Sequence, residues 1–368
     1  MNLLVLGGTR FFGRRAVEML LERGHNVTVL SRGVTPLPWP RGTVEHLGCD
    51  RNVRGEPSRS LRGRDFDAVF DNSAMDGGAV REVLDVLPGL ARYVLTSSGA
   101  VYQRPGSPAL EELVHGVPSR PHHDPFGAMR LLSEDDAPFE INWLRGEVAD
   151  EVPGYRRGKL EAELALAEAG PGSGPAPIVL RPPQIEGPRD PTGRTEFFAR
   201  RVADGGGILL PAEGRGGVFQ KVFSEDLAAA AVAAVESAPG IRGPFNVAGP
   251  EIMTMERYLY ALALVLDLSP PRILYAPAEE IRNALGRSYA PPVPGPKVVD
   301  ISRARTQLDF CPRRYAHRMR DTLEWIFDRA PAPGLAAARE REIDFLRSHP
   351  VPMAPPGDRQ EDNRSRRK

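Results

Sequence analysis

Lysine is almost missing from this chain. It occurs four times in 368 residues, at 159, 221, 297 and 368, against 44 arginines. That skew makes a lysine inside any specific motif more informative than usual. Cysteine is scarce too, and Cys49 and Cys311 are too few for a disulfide framework or a zinc site. Net charge is absent, with 48 basic and 48 acidic side chains, which removes a global electrostatic case for nucleic acid or an anionic membrane as a partner. No apolar run approaches the ~20 residues of a membrane helix. The opening MNLLVLGGTR has no basic segment and no small-residue cleavage site, so the expectation is no signal peptide and a cytoplasmic location.

What remains is the composition of a globular enzyme or binding module. Apolar residues at 41% and charged residues at 26% allow a real core. The length fits about two domains, or one enlarged α/β domain with a cap. Short apolar runs at 2–6, 25–31, 43–47, 67–70, 93–97 and 178–180 predict strands. Between them, helical stripes fall at 14–21, 80–90 and 160–168. Strand, helix, strand at this rhythm marks parallel βαβ units. From 181 the pattern loosens into helices at 195–202, 225–236, 255–266 and 319–327, with short strands at 208–210 and 245–247. Residues 103–150 are irregular, Pro-rich and acidic, long for one connection and suited to a lid. The polar, basic end from about 349 has the composition of a disordered tail.

Gly7-Gly8-Thr9-Arg10-Phe11-Phe12-Gly13 sits directly after the first strand and opens the first helix. Glycine there permits a positive φ and lets backbone amides approach a pyrophosphate at the helix N-terminus. Arg10 stands where a middle glycine is usual. The second strand ends at Ser31-Arg32, where an NAD-binding chain usually has an acid for the ribose 2′-hydroxyl. Arginine there suits a 2′-phosphate, so NADP(H) is slightly preferred, and Arg10 is placed to join it. Asp50, after the third strand, is a candidate adenine contact.

Tyr155 and Lys159 form a Y-x-x-x-K pair on one helix face, and no other tyrosine has a lysine four residues on. A tyrosine hydroxyl has a reference pKa near 10, so it transfers protons poorly at neutral pH without a nearby ammonium. The fifth strand ends at Ser97-Ser98, at the carboxyl edge where open α/β sheets bind ligands. Ser98 is placed to hydrogen-bond a substrate oxygen while Tyr155 moves the proton.

With these three in order, residues 1–330 resemble the extended short-chain dehydrogenase/reductase superfamily, the NAD-dependent epimerase/dehydratase group. Further matches are Val101-Tyr102, Arg181-Pro182-x-x-x-x-Gly187-Pro188, Phe223-Ser224-Glu225-Asp226-Leu227, Phe245-Asn246-Val247-Ala248-Gly249 and Asp300-Ile301-Ser302-Arg303-Ala304-Arg305. The G-G-T-R-F-x-G form is similar to an atypical subgroup that includes reductases, sugar dehydratases and RNA-binding proteins. Two departures stand out: Arg10, and the insertion that separates Tyr155 from Ser98. The resemblance implies a Rossmann-type doubly wound parallel sheet over 1–180, with the insertion at 103–150. A smaller C-terminal α+β substrate-binding region over 181–348 is interleaved with it. It implies Ser98, Tyr155 and Lys159 as catalytic residues. Gly7, Gly8, Thr9, Arg10, Phe11, Phe12, Gly13, Ser31, Arg32, Asp50, Asn72, Ser73, Tyr155, Lys159, Pro182 and Ile185 are its NAD(P)-binding set. The family's 4,6-dehydratases carry an Asp-Glu pair where this chain has Gly99-Ala100, which argues against that reaction.

Other signals read as structure. Adjacent His122-His123-Asp124 do not share a helix face and imply no metal site. Arg51, Arg54, Arg59, Arg62 and Arg64 form a basic stretch that could touch RNA, but a solvated loop between strands three and four is the favoured reading. The alanine-rich stretch 227–235 reads as close-packed core; the other reading is an interface helix in a homodimer, since the resembled family often pairs subunits through helices. Two classes of function stay open. One is an NAD(P)-dependent epimerase or oxidoreductase acting on a secondary alcohol or ketone, of a nucleotide sugar or related polar metabolite. The alternative is a dinucleotide-binding module with an interaction role such as RNA binding. The Ser/Tyr/Lys set and the neutral charge favour the enzyme.

Overall fold

The computed structural model describes residues 1–102, 131–136, 154–169, 174–286, 298–331 and 335–348. Most of the expected insertion, the His122-His123-Asp124 group and the tail from 349 lie outside these residues. In chain order come β1 (Asn2–Leu6), α1 (Phe11–Glu22), β2 (Asn26–Ser31), β3 (Glu45–Gly48), α2 (Glu56–Leu61), β4 (Ala68–Asp71), α3 (Gly77–Val86), β5 (Arg92–Thr96), α4 (Gly154–Ala169) and β6 (Ala176–Arg181). Then follow β7 (Gln184–Glu186), α5 (Arg194–Asp204), β8 (Ile208–Pro211), β9 (Lys221–Phe223), α6 (Ser224–Glu236) and β10 (Gly243–Asn246). The last elements are α7 (Met255–Val265), β11 (Ile273–Ala276), α8 (Ala278–Leu285), α9 (Ser302–Gln307), α10 (Tyr315–Phe327) and α11 (Leu335–Ser348).

Seven strands form one parallel sheet in the order β10-β6-β5-β4-β1-β2-β3. The strands of its centre are nearly unbroken apolar runs, as strands covered on both faces must be. Alternation along β1 sends Leu3 and Val5 into one layer and Leu4 and Leu6 into the other. Helices α1 and α6 pack together over the first layer, and α3 and α4 pack together over the second. The alanine-rich helix is therefore core, with Ala228, Ala231 and Ala234 buried against α1 and the sheet. The order reverses at β1, which opens a crevice at the carboxyl ends of β1 and β4.

A second core lies in the C-terminal part, where Phe198, Tyr258, Leu262 and Leu323 join α5, α7 and α10 to the parallel pair β8–β11. This part is not separate from the sheet. Strand β10 extends it beyond β6, and β7 pairs with β9 just past its carboxyl edge.

One expectation needs correction. The stretch 51–64 is not simply a solvated loop: Glu56–Leu61 is helical, and the Arg51 side chain is only 9% exposed against Asp71. Helix α2 carries Pro57 in its first turn and has just two buried residues, too few for an apolar period to show. Helix α3 starts at Gly77, earlier than its apolar stripe, because the Asp76 carboxylate accepts the Ala79 N–H at 2.8 Å and caps it.

Close backbone approach sets the position of α4. A Cβ added at Gly158 would lie 1.9 Å from the carbonyl oxygen of Met75, and one at Gly77 would lie 2.7 Å from that of Glu161. Only glycine lets α4 rest directly on the turn after β4. Gly158→Val should therefore lower stability toward urea by about 1–3 kcal/mol, the usual cost of overpacking. Gly154→Ala, where an added Cβ meets nothing within 4 Å, serves as the control. Equal stability of the valine variant and the wild type would contradict this packing.

Candidate active site

The glycine turn is shaped by contact as well as by conformation. Gly7 has φ +81°, and its carbonyl accepts Asn72 Nδ2 at 3.2 Å. A Cβ at Gly13 would lie 2.4 Å from that same carbonyl, so α1 can begin here only with glycine. A Cβ added at Gly8 would lie 2.9 Å from both Val5 and Val17, and the Phe12 side chain is buried, so both positions pack the turn onto the core. Phe11 has φ +48° and leans on the same core.

Beside this turn lies an open cleft of about 290 Å³. It gathers Gly7, Thr9, Arg10, Ser31, Arg32, Asp50 and Ser73, which are separated by up to 66 positions in sequence. Arg10 caps the entry to α1 in an extended conformation and donates from Nη2 to Thr35 Oγ1 at 2.5 Å. Arg10 and Arg32 are both exposed on the cleft wall. Asp50 Oδ1 accepts the Asn52 N–H at 3.0 Å, which folds the chain back at the rim. Ser31 is held by His46, with Oγ 2.9 Å from Nε2.

The other predicted residues gather at the ends of β5 and β6. Ser98 is half-buried, and its Oγ accepts the Ala100 N–H at 3.1 Å, starting a tight turn over Gly99–Tyr102. Pro182 is buried and its carbonyl accepts the Gly99 N–H at 2.7 Å. Ile185, in β7, is half-buried against the sheet core. Neither lines the cleft beside the glycine turn; Pro182 supports the turn that starts at Ser98, and Ile185 pairs with Val222 of β9.

Tyr155 opens α4 with half its surface exposed, whereas Lys159 is buried. The ammonium sits 5.9 Å from the centroid of the tyrosine ring. It donates to the Ala74 carbonyl at 2.8 Å and the Thr96 carbonyl at 3.0 Å, at the carboxyl ends of β4 and β5. An ammonium has three protons, so one is left for a further acceptor. Burial lowers the Lys159 pKa to about 8; Asp71 and Glu163 pull it up and Arg51 pushes it down.

Residues the sequence did not single out as functional hold this arrangement together. Ser97, unlike Ser98, is buried and donates to Glu163. Glu163 grips Arg181, itself fully buried, with Nη2–Oε2 at 2.6 Å and Nε–Oε1 at 3.1 Å. Arg181 Nη1 also donates to Tyr102 Oη at 3.2 Å and to the Glu134 carbonyl at 2.8 Å. Tyr102 hydrogen-bonds Asn246, whose own N–H donates to Glu134 Oε1 at 2.8 Å. Burial is the main cause that pushes the Tyr102 pKa up to about 12, so it stays a neutral structural phenol. A second buried group joins Arg51 to Asp71 beneath the cleft. The available signal was a lone charge at the end of an apolar strand: Asp71 closes AVFD and Arg181 closes APIVLR.

Known proteins of this architecture are numerous. The structure matches the UDP-glucose 4-epimerase of Thermotoga maritima solved with UDP-glucose, with a TM-score of 0.65 and 18% identity, over 89% of this chain and 99% of that one. It matches the Thermus thermophilus UDP-glucose 4-epimerase solved with NAD at 0.65 and 22% identity, over 90% and 100%. The chain has the fold of the extended short-chain dehydrogenase/reductases. The UDP-glucuronic acid 4-epimerase of Bacillus cereus, solved with NAD, shares that fold at 0.63 and 17% identity, over 89% and 99%. In sequence, the chain is 28% identical over 291 residues to the chloroplast stem-loop binding protein of 41 kDa b of Arabidopsis thaliana, covering 76% of this chain and 67% of that protein. No family model matches. In this chain the Gly7–Gly13 turn follows β1, Ser98 follows β5, and Lys159 reaches the carbonyls beyond β4 and β5 from α4.

The Lys159 pKa carries a pH prediction. In the folded chain the ammonium is lost near pH 8, whereas an unfolded lysine keeps its proton to about pH 10.4. Burial therefore costs stability fully below pH 8, and the cost fades as pH rises between those values, because the unfolded state then binds more protons. Ligand binding that uses the ammonium should run the other way. NAD(P)H affinity should fall above about pH 8, and Lys159→Met should bind weakly without that alkaline limb. A pH-independent affinity between pH 7 and 9.5 in the wild type would contradict the assignment.

Proposed function

We propose that the chain is an NAD(P)-dependent epimerase or oxidoreductase acting on a secondary alcohol or ketone of a nucleotide sugar or a comparable polar metabolite. The observation that carries this reading is Tyr155, half-exposed, with the buried Lys159 ammonium beneath it and Ser98 at the adjacent strand end. The glycine turn fits a dinucleotide: Gly7 takes a positive φ and Gly13 lets α1 start directly against the Gly7 carbonyl, a strand-to-helix turn whose backbone amides can meet a pyrophosphate. When bound, a nicotinamide supplies the site for reversible two-electron oxidation of the carbinol.

The chain's own groups do the rest. Tyr155 Oη, on the half-exposed ring 5.9 Å from the Lys159 ammonium, takes the proton from the substrate hydroxyl or returns it. Ser98 Oγ accepts the Ala100 N–H, which leaves its own proton for the substrate oxygen. Lys159 directs its remaining proton toward the ligand. Gly99 and Ala100 offer no acid or base, so elimination of the 4,6-dehydratase type is disfavoured. Arg10 and Arg32, both exposed on the adenosine-side wall, support NADP(H) over NAD(H) through charge-assisted bonds to a 2′-phosphate. The T. thermophilus and B. cereus neighbours solved with NAD support the dinucleotide itself.

A second reading, RNA binding by the same fold, is favoured by the relative named for binding a stem-loop and by exposed Arg54, Arg59 and Arg62 near the β3 edge. Binding of that kind should weaken steeply with salt, and nicotinamide should not be required.

Two variants test the enzyme. Tyr155→Phe should keep fold and cofactor binding and lose roughly 10²–10⁴-fold in turnover on UDP-sugar or carbonyl substrates. A fully active phenylalanine variant would make the Y-x-x-x-K pair incidental and bring the RNA reading forward. Arg32→Asp should erase or reverse an NADPH preference of about tenfold, ~1.4 kcal/mol, measured by titration with NADPH and NADH. Equal affinities before and after the change would remove the 2′-phosphate role.

A further inference from the structure

Asp71 ends β4 fully buried, a position where an apolar side chain would fit the run it closes. Its Oδ1 accepts the backbone N–H groups of Ser73 and Ala74, each at 2.9 Å, and Arg51 Nη1 at 2.5 Å. Its Oδ2 accepts Tyr93 Oη at 2.7 Å. The carboxylate thus fixes the turn whose next exit is the Ala74 carbonyl, one of the two acceptors of Lys159. Arg51 reaches in from the far side. It donates to Ser73 Oγ at 2.8 Å and the Ala79 carbonyl at 3.2 Å, and it forms part of the floor of the adenosine-side cleft. A buried ion pair costs several kcal/mol of desolvation per ion, and apolar residues of the same volume often serve stability as well or better. Its presence here points to a task other than stability.

We propose that Asp71 and Arg51 are positioning residues for Lys159: the carboxylate fixes the turn whose carbonyl holds the ammonium, and the guanidinium ties that turn to the floor of the cofactor cleft. The inference rests on reading Tyr155 and Lys159 as the reacting pair. Its consequence is electrostatic as well as geometric. The charged groups that act on Lys159 are Asp71 from β4, Arg51 from the segment before α2 and Glu163 from its own helix, with the Tyr155 ring above it. Glu163 is already committed to Arg181. Removing Asp71 or Arg51 therefore unbalances the ammonium in opposite directions.

The scarcity of lysine makes this measurable. Labelling lysine with 13C at Cε gives four side-chain signals, and Lys159→Met identifies the relevant one. Asp71→Asn keeps the shape and removes the negative charge, so the Lys159 titration midpoint should move down by about half a pH unit or more. Arg51→Gln removes the positive charge and should move it up by a similar amount. Shifts in the same direction, or no shift in either, would overturn the proposal, since a purely structural pair alters stability without this pattern of signs. If Asp71→Asn does not fold, Arg51→Gln decides alone: an upward shift supports the proposal, and a downward shift or none overturns it. Failure of the catalytic reading is distinguishable. It leaves both shifts in place and appears instead as a wild-type protein that binds neither NADPH nor NADH.

Discussion

The arrangement depends on one buried ion pair. Arg181 and Glu163 are held face to face by two hydrogen bonds with almost no solvent contact, one from the end of β6 and the other from the middle of α4. Tyr155, Lys159 and Glu163 recur every four residues, so fixing the last fixes the height and rotation of the other two. The same carboxylate takes the Ser97 hydroxyl, which places the neighbouring Ser98 at the strand end beside them. Removing one partner of such a pair typically costs about 3–5 kcal/mol, because the other is left as an uncompensated buried charge. The network runs on through Tyr102, Asn246 and Glu134. Segments separated by more than a hundred residues are thereby held to one geometry.

Around that anchor, the crevice has two ends with different chemistry. The end beside the glycine turn is walled by guanidinium groups, Arg10 and Arg32 outward and Arg51 inward. The Tyr155 side has a single ammonium, held by carbonyls from two strand ends and kept at a depressed pKa by burial. The turn after β4 lies between the ends and touches both, through Ser73 and Arg51 on one side and Ala74 and Lys159 on the other. Glycine at 158 is what allows α4 to come near enough for the second contact. Backbone contact, not loop length, brings the ends together.

Much of this was legible in the sequence because it rests on local pattern. The β1 run, the glycine turn, the strand ends at Ser31 and Ser97-Ser98, and the Y-x-x-x-K spacing are each set by residues within a few positions of one another. Helix starts were harder to read. Helices α1 and α3 begin before their apolar stripes, where a glycine turn or an aspartate cap sets the first turn. Short elements such as α2 and the β7–β9 pair bury too few side chains to leave a period. Least legible was the inward turn of Arg51. Five arginines in fourteen residues read as a solvated stretch, and the carboxylate that draws one of them inside lies twenty positions away on another strand. Charge pairing across a fold leaves no trace in spacing.

The central claim is that the Gly7–Gly13 turn and the Ser98, Tyr155 and Lys159 side chains belong to one nicotinamide site. A crystal structure of the chain grown with NADPH tests it most directly. The account predicts the pyrophosphate on the amides of the glycine turn, the 2′-phosphate against Arg10 and Arg32, and the nicotinamide within reach of the Tyr155 hydroxyl. A nucleotide bound elsewhere, or bound with its nicotinamide directed away from Tyr155 and Ser98, would contradict it.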